Sequence, residues 1–373
     1  MSRVPLSNQA RHFKIRMGLS PQASASISTE MPDLPSPEHN PRPPRRKRYS
    51  GKNPRQFEDK YKEHRRDPET LAKVTAAGKT PAGTHIPILL PEIMEILALQ
   101  PGQIVADLTL GYGGHAMALL SAIQPEGRLI ALDVDPLELP RTEARLRDLG
   151  YPGDTLTIQR RNFAGLPKVL AHLGLPGVDA ILADLGVSSM QLDNPTRGFS
   201  FKTAGPLDMR LNPERGQSAS ALLASITPQK LAALFHENAD EPRAFGLADA
   251  LAGKNFPTTR SLTDALRALT PDPDEAEATC RRVFQALRIA VNEEFTALDT
   301  LLRHLPQCLN SGGRAAILTF HSGEDRRVKK AFAAGLADET YLCISPEVIR
   351  PGPAEQHLNP RSSSAKLRWA MKG

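Results

Sequence analysis

The chain has 373 residues, 40% of them hydrophobic, which is enough for one large domain with an insertion or for two smaller domains. It carries a net charge of +6. No apolar run approaches the roughly 20 residues that a transmembrane helix needs, and the N-terminus lacks the apolar core of a secretory signal, so we expect no membrane association.

The N-terminal segment, residues 1–84, holds most of the positive charge. Residues 1–80 contain 17 Lys and Arg against 8 Asp and Glu, a balance of +9. The stretch Pro41–Arg48 is Pro-rich and cationic, a composition that cannot bury a core. We therefore predict a disordered basic extension that can lie along phosphates. A solvated linker or a wrongly assigned start codon is the alternative, and residues 1–29, which lack acidic residues, also resemble an organellar transit peptide.

Cysteine usage indicates neither disulfides nor a metal site. The three cysteines, Cys280, Cys308 and Cys343, are odd in number, far apart and without metal-ligand spacing. We expect no bound metal and a cytoplasmic location, or an organelle matrix if residues 1–29 are a transit peptide.

From His85 onward, strand and helix patterns alternate as in an α/β protein with a parallel sheet and helices on both faces. Residues 196–290 break this rhythm with helical patterns only, which predicts an inserted all-helical subdomain within a domain formed by residues 85–195 and 291–373. The predicted strands are 103–107, 128–133, 155–160, 178–184, 314–320 and 365–370. The predicted helices outside the insertion are 92–99, 116–122, 138–149, 164–174, 295–309 and 325–337.

The first strand runs into a glycine-rich turn, Gly111-Tyr-Gly-Gly-His115, followed by a helix. Glycines at this place let a ligand approach the backbone, and the helix N-terminus offers free N–H groups. The glycines Gly111, Gly113 and Gly114 do not have the spacing G-x-G-x-x-G of dinucleotide-binding proteins. The turn therefore predicts a nucleotide-type cradle of another kind.

Two carboxylates specify the ligand further. Asp133 ends the next strand, about 20 residues beyond the glycines, where a carboxylate accepts hydrogen bonds from both hydroxyls of an unphosphorylated ribose. The alternative role of Asp133 is to cap the next helix. That role fits Asp135 better, because Asp135 directly precedes Pro136. Asp107 closes the first strand, where it would repel a pyrophosphate and attract an ammonium group. S-adenosylmethionine fits these features better than a dinucleotide does.

A polar loop follows the fourth strand and runs from Asp184 to Asp193, then on through Arg197–Phe201 and Gly205–Arg210. Ligands bind at the carboxyl ends of strands in parallel sheets, so we expect the chemistry of the protein to take place here. Punctuation between two elements is the alternative for such a loop.

At these motifs the chain resembles the bacterial 16S ribosomal RNA cytosine-N4 methyltransferases. The resemblance covers residues 85–373, in order, and leaves residues 1–84 outside. The motifs that carry it are GYGGH (111–115), DLGVSSMQLD (184–193), RGFSF (197–201), GPLDMR (205–210), FQALRIAVN (284–292), FHSGEDR (320–326) and NPRSSS (359–364).

The resemblance implies a class I, Rossmann-like, S-adenosylmethionine-dependent methyltransferase fold with a helical insertion. It implies donor contacts from Gly113, Gly114, His115, Asp133, Phe163, Asp184 and Gln191, to which the residues themselves add Asp107 and Gly111. Phe163 follows the third strand, where its ring can stack on adenine or simply pack in the core. His115 has a second interpretation as a cap of the glycine turn.

Asp184 is our candidate for the catalytic residue. The N4 amine of cytosine is a weak nucleophile because its lone pair is delocalised into the ring, so an enzyme must align it with the methyl group and offer it a hydrogen-bond acceptor. Asp184 ends a strand at the right place for that acceptor. Orienting the donor or capping the loop is the alternative role.

RNA contacts are predicted from the residues around this loop. We expect Arg197, Arg210 and Arg361 to face phosphates, Phe199 or Phe201 to stack on a flipped base, and Asp208 and His321 to lie on the substrate side. Each arginine could equally form an ion pair and each ring could belong to the core. His321 precedes Ser322, Glu324 and Asp325, which also resemble the N-terminal cap of a helix.

The sequence thus predicts an enzyme that methylates the N4 amine of a cytosine in the decoding region of 16S ribosomal RNA, with that RNA or the small ribosomal subunit as its partner. A non-catalytic ribosome-assembly factor that binds RNA is the alternative, and the intact glycines and carboxylates favour the enzyme. A nicotinamide oxidoreductase is disfavoured by the glycine spacing and by Asp107. The oligomeric state stays open, and a homodimer is compatible with the sequence.

Overall fold

A computed structural model of the chain describes residues 87–373. The predicted basic extension, residues 1–84, lies outside the described residues, as do the first two residues of the predicted methyltransferase domain. The strands are β1 Ile104–Asp107, β2 Arg128–Asp133, β3 Leu156–Arg160, β4 Val178–Asp184, β5 Leu309–Thr319, β6 Tyr341–Ile344 and β7 Lys366–Lys372. The helices are α1 Leu90–Leu97, α2 Gly114–Ile123, α3 Leu139–Asp148, α4 Leu166–His172, α5 Ser189–Asp193, α6 Ala219–Ser225, α7 Pro228–Ala239, α8 Ala244–Leu251, α9 Thr259–Leu269, α10 Pro273–Val291, α11 Glu294–Cys308, α12 Ser322–Ala337 and α13 Pro353–Leu358.

The strands form one seven-stranded sheet in the order β3-β2-β1-β4-β5-β7-β6. Strands β1 to β5 pair in parallel, whereas β7 pairs antiparallel with both β5 and β6. The order reverses beside β1, so the carboxyl ends of β1, β2 and β4 lie side by side at the place where parallel sheets bind ligands. The α/β class I methyltransferase topology predicted from the sequence is confirmed.

The sequence predicted a parallel sheet, whereas the last predicted strand, β7, pairs antiparallel, and β6 was not predicted. Alternation of strand and helix patterns indicates parallel pairing only where a helix crosses over between neighbouring strands. β7 follows the short helix α13 and a 3₁₀ turn, and it inserts between β5 and β6 instead of adding to the edge. β6 has four residues and lies at that edge, so it gives little periodic signal.

Each face of the sheet is covered by helices. Alternate strand residues point to opposite faces, as in β1, where Val105 packs with α1, α2 and α3 while Ala106 packs with α4, α11 and α12. Both strand residues are completely buried. The parallel strands are therefore buried on both sides, which explains their continuous apolar sequences.

A third hydrophobic cluster lies among the helices that interrupt the strand–helix alternation. It is centred on Phe235, Leu262 and Leu287, from α7, α9 and α10, and also includes Phe199 and Met209 from the loop after β4. Within residues 196–290 the described structure contains helices and a single isolated bridge, between Pro206 and Thr258, but no strand. Treating this region as a separate substrate-side subdomain stays our proposal.

Within residues 87–373, no helix has both the length and the apolar character that a lipid bilayer crossing requires.

Candidate active site

The glycine turn forms a cradle between β1 and α2. Gly113 is the N-cap of α2 with φ of 78°, a left-handed conformation that disfavours side chains. A Cβ on Gly113 would also lie 3.0 Å from Cγ2 of Thr142 in α3. Gly114 is the first residue of the helix, so the free N–H groups of its first turn face the end of the sheet. Gly111, Gly113 and Gly114 thus form the turn between β1 and α2 that the sequence predicts, and their contact with a bound donor stays a prediction.

Asp133 holds the cradle in place from the end of β2. Its Oδ2 accepts a hydrogen bond from the Gly111 backbone N–H at 2.7 Å, and its Oδ1 accepts one from Asp135 N–H at 2.9 Å. Burial raises the pKa of this carboxyl above its ordinary value, although these backbone hydrogen bonds oppose the shift. Each oxygen keeps a further lone pair, so the predicted contact with a ribose is compatible with this geometry.

Asp107 contributes a buried negative charge at the end of β1. The residue is 1% exposed, its Oδ1 accepts a hydrogen bond from Thr109 N–H at 3.1 Å, and its Oδ2 has no hydrogen-bond partner within residues 87–373. Burial raises the pKa of Asp107 to about 6, while nearby His115 lowers it in part. An unpaired carboxylate oxygen inside a protein is costly unless a ligand supplies a partner.

Asp184 and His115 face each other across the strand ends. Oδ2 of Asp184 lies 3.6 Å from Nδ1 of His115, and Nε2 of His115 lies 3.1 Å from the Ile88 carbonyl oxygen. Because a carbonyl only accepts, Nε2 of the neutral ring carries the hydrogen and Nδ1 presents a lone pair to Asp184. Burial lowers the pKa of His115, so the ring is neutral near pH 7. His115 therefore contacts Asp184 and is not a simple cap of the glycine turn.

The carboxyl of Asp184 is poised between its two protonation states. Its backbone N–H donates to Oγ1 of Thr109 at 2.7 Å, which joins the end of β4 to the end of β1. The side chain is 29% exposed, yet Oδ1 is buried without a hydrogen-bond partner in the described part of the chain. Burial and the nearby carboxylate of Glu324 raise the pKa of Asp184 to about 7. A group with such a pKa can accept a proton at neutral pH.

Phe163 lies in a 3₁₀ turn directly after β3. Its ring is partly buried and packs against the core on the α4 face. Asn162 accepts a hydrogen bond from Ala164 N–H at 2.9 Å and caps this turn. Stacking of Phe163 on adenine stays a prediction.

A buried network around Asp135 corrects the prediction for Arg197. Asp135 is completely buried, and its Oδ2 accepts hydrogen bonds from Nη1 of Arg197 and from Nε2 of Gln191, both at 2.7 Å. Arg197 is 6% exposed and donates through Nη2 to the carbonyl oxygens of Arg210 and Leu211. All its charge is used inside the protein, so Arg197 does not face RNA phosphates.

Gln191 takes part in the same network. Its Oε1 accepts from Ser188 N–H at 2.8 Å, and Ser188 Oγ accepts from Gln191 N–H, which closes a capping box at the start of α5. Both ends of the amide are therefore engaged in holding the loop after β4. The predicted contact of Gln191 with the methyl donor stays a prediction.

The aromatic residues of the loop are less available than predicted. Phe199 is 5% exposed and belongs to the third hydrophobic cluster, so it cannot stack on a flipped base without leaving that core. Phe201 is partly exposed and packs edge-on against Phe284 with 5.7 Å between ring centroids.

A Cβ at Gly205 would come within 1.8 Å of the Pro195 carbonyl oxygen, so a glycine is required where the two halves of the loop meet.

Two further predicted RNA contacts carry ion pairs. Asp208 binds Arg210 through both oxygens, at 2.8 Å to Nε and 2.7 Å to Nη2. Burial alone would raise the pKa of Asp208, but the contact with Arg210 lowers it. Arg361 pairs with Asp193 at 2.5 Å and is 41% exposed, which ties the turn before β7 to α5. Both arginines are engaged within the protein, and their contact with phosphates stays a prediction.

His321 lies beneath the site in a network of charged groups. It is the N-cap residue of α12, and its Nε2 is 3.2 Å from Oε1 of Glu324, whose Oε2 accepts from Phe320 N–H. Burial alone would raise the pKa of Glu324, but contact with His321 and the charge of Arg288 lower it. Arg288 in turn binds Glu294 at 2.8 and 2.9 Å. His321 is 10% exposed and makes no side-chain capping hydrogen bond to α12, so its place on the substrate side stays a prediction.

The residues at the strand ends fit S-adenosylmethionine. Two buried carboxylate oxygens, Asp107 Oδ2 and Asp184 Oδ1, lack hydrogen-bond partners within residues 87–373 and would be stabilised by the cationic groups of this donor. Asp133 offers lone pairs to ribose hydroxyls. The donor would thus be held by Asp107, Asp133, Asp184 and the glycine cradle.

Sequence reasoning missed Thr109, the second role of Asp135 and the influence of Glu324. Thr109 carries a weak signal, since a polar residue two positions after a buried strand lies at the ligand-binding edge. Asp135 was predicted to form a cap, and its Oδ1 does accept from Leu137 N–H at 2.9 Å. Its pairing with a residue 62 positions away has no local signal.

Sequence comparison with known proteins finds relatives over most of the chain. The sequence profile of the MraW methylase family matches residues 82–373. Among curated proteins, the chain is 47% identical to "Ribosomal RNA small subunit methyltransferase H 1" of Lachnoclostridium phytofermentans over 91% of this chain and 95% of that protein. It is 47% identical to "Ribosomal RNA small subunit methyltransferase H 2" of Alkaliphilus metalliredigens over 90% of this chain and 99% of that protein.

These alignments correct one expectation about the N-terminus. Residues 85–373 make up less than four fifths of the 373-residue chain. Aligned regions that cover 90% and 91% of the chain must therefore include part of residues 1–84, which the sequence analysis placed outside the resemblance.

Proposed function

The chain belongs to the MraW methylase family, and on that premise we propose that it methylates the N4 amine of a cytosine in the decoding region of 16S ribosomal RNA, with S-adenosylmethionine as methyl donor. The observation that carries this proposal is the pairing of Asp184 with His115 beside the glycine cradle. The partner is the RNA or the small ribosomal subunit. We place the reaction in the cytoplasm, and a homodimer stays compatible with the proposal.

The proposed chemistry uses Asp184 as the acceptor for the cytosine amine. The bound donor supplies an electrophilic methyl group on a sulfonium. The carboxylate of Asp184 accepts a hydrogen bond from the amine, which favours a pyramidal nitrogen whose lone pair can attack. As positive charge develops on nitrogen, a proton passes to Oδ2 of Asp184, whose pKa of about 7 lets it hold that proton.

Burial and Glu324 set the pKa of Asp184, and His115 lies beside its carboxyl group. The lone pair on Nδ1 of His115, 3.6 Å from Asp184 Oδ2, can accept a hydrogen bond from the protonated carboxyl. The Glu324 carboxylate raises the pKa of Asp184 and so strengthens it as a base. Thr109 fixes the backbone of Asp184 against β1. These contacts thus position Asp184 as the single acceptor of the proton. The proposed mechanism requires no covalent enzyme intermediate.

The direct test is methyl transfer to purified small subunits. We expect subunits from a strain lacking the gene to accept one methyl group per particle, recovered by mass spectrometry of nuclease digests as N4-methylcytidine. Subunits from the parent strain, already modified, serve as the control and should accept none. If the protein binds the donor but transfers no methyl group to either preparation, the non-catalytic assembly factor is the better interpretation.

Donor binding to the free protein should strengthen as the pH rises from about 5 to about 8. Asp107 and Asp184 have pKa values of about 6 and about 7, so both are largely protonated at the lower pH and attract cations only once ionised. Calorimetry in two buffers of different ionisation enthalpy measures the dissociation constant and the protons released. In the Asp107→Asn variant, the part of the change in the donor dissociation constant that occurs near pH 6 should disappear. A dissociation constant that does not change with pH would contradict this assignment.

A further inference from the structure

A large cleft lies on the β3 side of the site and has no role in the chemistry described so far. It has a volume of about 1240 Å³. One wall is the chain from Arg160 to Lys168, which leaves β3 and enters α4, and the other is the loop from Arg210 to Gln217. The end of α10 and two residues of α11, Thr300 and His304, complete it. We call this space the β3 cleft.

The β3 cleft lies next to the proposed donor site. Val134, which lines the cleft, directly follows Asp133, and the lining residues Asn162 and Ala164 flank Phe163. The cleft therefore opens beside the residues that we expect to hold the adenosine of the donor. Adenosine carries no charge, so the donor gives no reason for charged groups at this end of the site.

The walls of the β3 cleft are nevertheless strongly basic. Five cationic residues line it, against the single carboxylate of Glu293, among the residues that the structure describes; the five are Arg160, Arg161, Lys168, Arg210 and Arg215.

Three of these cations have no carboxylate partner within residues 87–373. Arg160 binds Glu214 at 2.8 Å and Arg210 binds Asp208, which partly neutralises both. Arg161, Lys168 and Arg215 are exposed, and none of them has a carboxylate within ion-pair distance in residues 87–373. Unpaired cations gathered around one concave surface favour an anionic ligand.

Arg161 is held against the cleft wall by packing. Its aliphatic stem lies across Gly165, where a Cβ would come within 2.6 Å of its Cδ. The missing side chain at Gly165 therefore lets the stem lie flat on the turn. A cation whose stem is already packed loses less conformational entropy when it binds an anion.

We propose that the β3 cleft binds the phosphate backbone of the RNA next to the target cytosine, with Arg161, Lys168 and Arg215 as the phosphate contacts. This inference rests on the proposed function and adds the path of the substrate. RNA carries one negative charge per nucleotide, so a strand that enters the site from this side meets several cations in succession. These three residues replace Arg197 as the predicted phosphate contacts.

The test is a variant with Arg161→Gln, Lys168→Gln and Arg215→Gln, assayed against a decoding-region RNA fragment. Lost contacts to single-stranded RNA should lower the slope of log affinity against log salt by about 0.7 each, which is about 2 in total. The same relation gives a loss of affinity on the order of 10–100-fold at about 0.1 M salt. Fluorescence anisotropy over a salt series measures both quantities, while calorimetry with the donor and a thermal melt check that the site and the fold are intact.

The matched control removes the same charge elsewhere. Arg281, Lys329 and Lys330 are exposed cations on α10 and α12 that do not line the cleft. The variant with Arg281→Gln, Lys329→Gln and Lys330→Gln should keep the wild-type salt slope. If the control loses as much affinity as the cleft variant, the effect is one of net charge and the proposed path is wrong.

The remaining outcomes separate this inference from the proposed function. A cleft variant with wild-type affinity and slope overturns the phosphate path, provided that the wild-type protein methylates the RNA. A wild-type protein that binds and methylates neither the RNA fragment nor purified small subunits overturns the proposed function, and the phosphate path with it. If the triple variant unfolds, Arg215→Gln alone, in an exposed loop, should still lower the slope by about 0.7, and an unchanged slope overturns the inference.

Discussion

Replacing Asp184 with Asn is expected to lower kcat for methyl transfer by about 10²–10⁴-fold. The substitution keeps the shape of the side chain but removes the negative charge and the ability to take a proton. The cytosine amine would then lack its acceptor as positive charge develops on nitrogen. Single-turnover rates with saturating donor and RNA measure the effect on the chemical step.

The fold of Asp184→Asn should be unaffected. A carboxyl whose folded pKa is raised to about 7, from 3.8, contributes stability below pH 3.8 that is lost as the pH rises through 7. At pH 8 the wild-type protein therefore buries an unfavourable charge, and the amide should melt at the same temperature or higher. Asp154→Asn, in an exposed loop before β3, is the matched control and should keep wild-type activity. Turnover within threefold of wild type in Asp184→Asn would remove Asp184 from catalysis.

The pH dependence of turnover is a second test of the catalytic role of Asp184. Asp184 acts as a carboxylate in the proposed mechanism, so the single-turnover rate of the wild-type protein should rise with pH until this group is ionised. The Asn variant has no carboxyl to titrate, and its residual rate should lack that rise. A merely structural role for Asp184 would leave the two pH profiles parallel.

The parts of the site that the sequence predicted are those where local pattern and strand topology act together. Asp107, Asp133 and Asp184 each end an apolar strand, and in a parallel sheet the carboxyl ends of neighbouring strands meet at one edge. The turn before α2 can be predicted from its glycines, because glycine alone adopts the left-handed φ of Gly113 without strain. These features need only a few consecutive residues to be recognised.

The parts that failed depend on contacts between distant residues. Arg197 and Phe199 stand in a loop rich in polar residues, and nothing nearby indicates that Asp135 or the third hydrophobic cluster will bury them. The unpaired cations of the β3 cleft were missed for the converse reason. Arg161 and Arg215 look like ordinary surface residues until the fold brings their segments to opposite walls of one cleft.

The substitution Arg197→Met tests the most buried of these long-range contacts. It should lower the free energy of unfolding by about 3–5 kcal/mol, because it leaves the carboxylate of Asp135 buried without its cation. For a domain of this size such a loss lowers the melting temperature by roughly 10 °C. Arg326→Met breaks the exposed pair with Asp240 and is the matched control, with an expected cost below about 1 kcal/mol.

The same variant decides between the buried network and the phosphate contact that the sequence suggested for Arg197. If Arg197 binds phosphate, the substitution should leave the melting temperature unchanged and lower the salt slope of RNA affinity. If Arg197 is a buried partner of Asp135, the substitution should lower the melting temperature and leave the salt slope unchanged. Asp135→Asn combined with Arg197→Met should recover part of the lost stability, because removing both charges leaves no uncompensated ion in the interior.

Since Asp135 also holds Gln191 at the start of α5, we expect Arg197→Met to weaken donor binding as the loop after β4 loosens. Equal melting temperatures for wild type and Arg197→Met would show that this ion pair does not hold the loop in place.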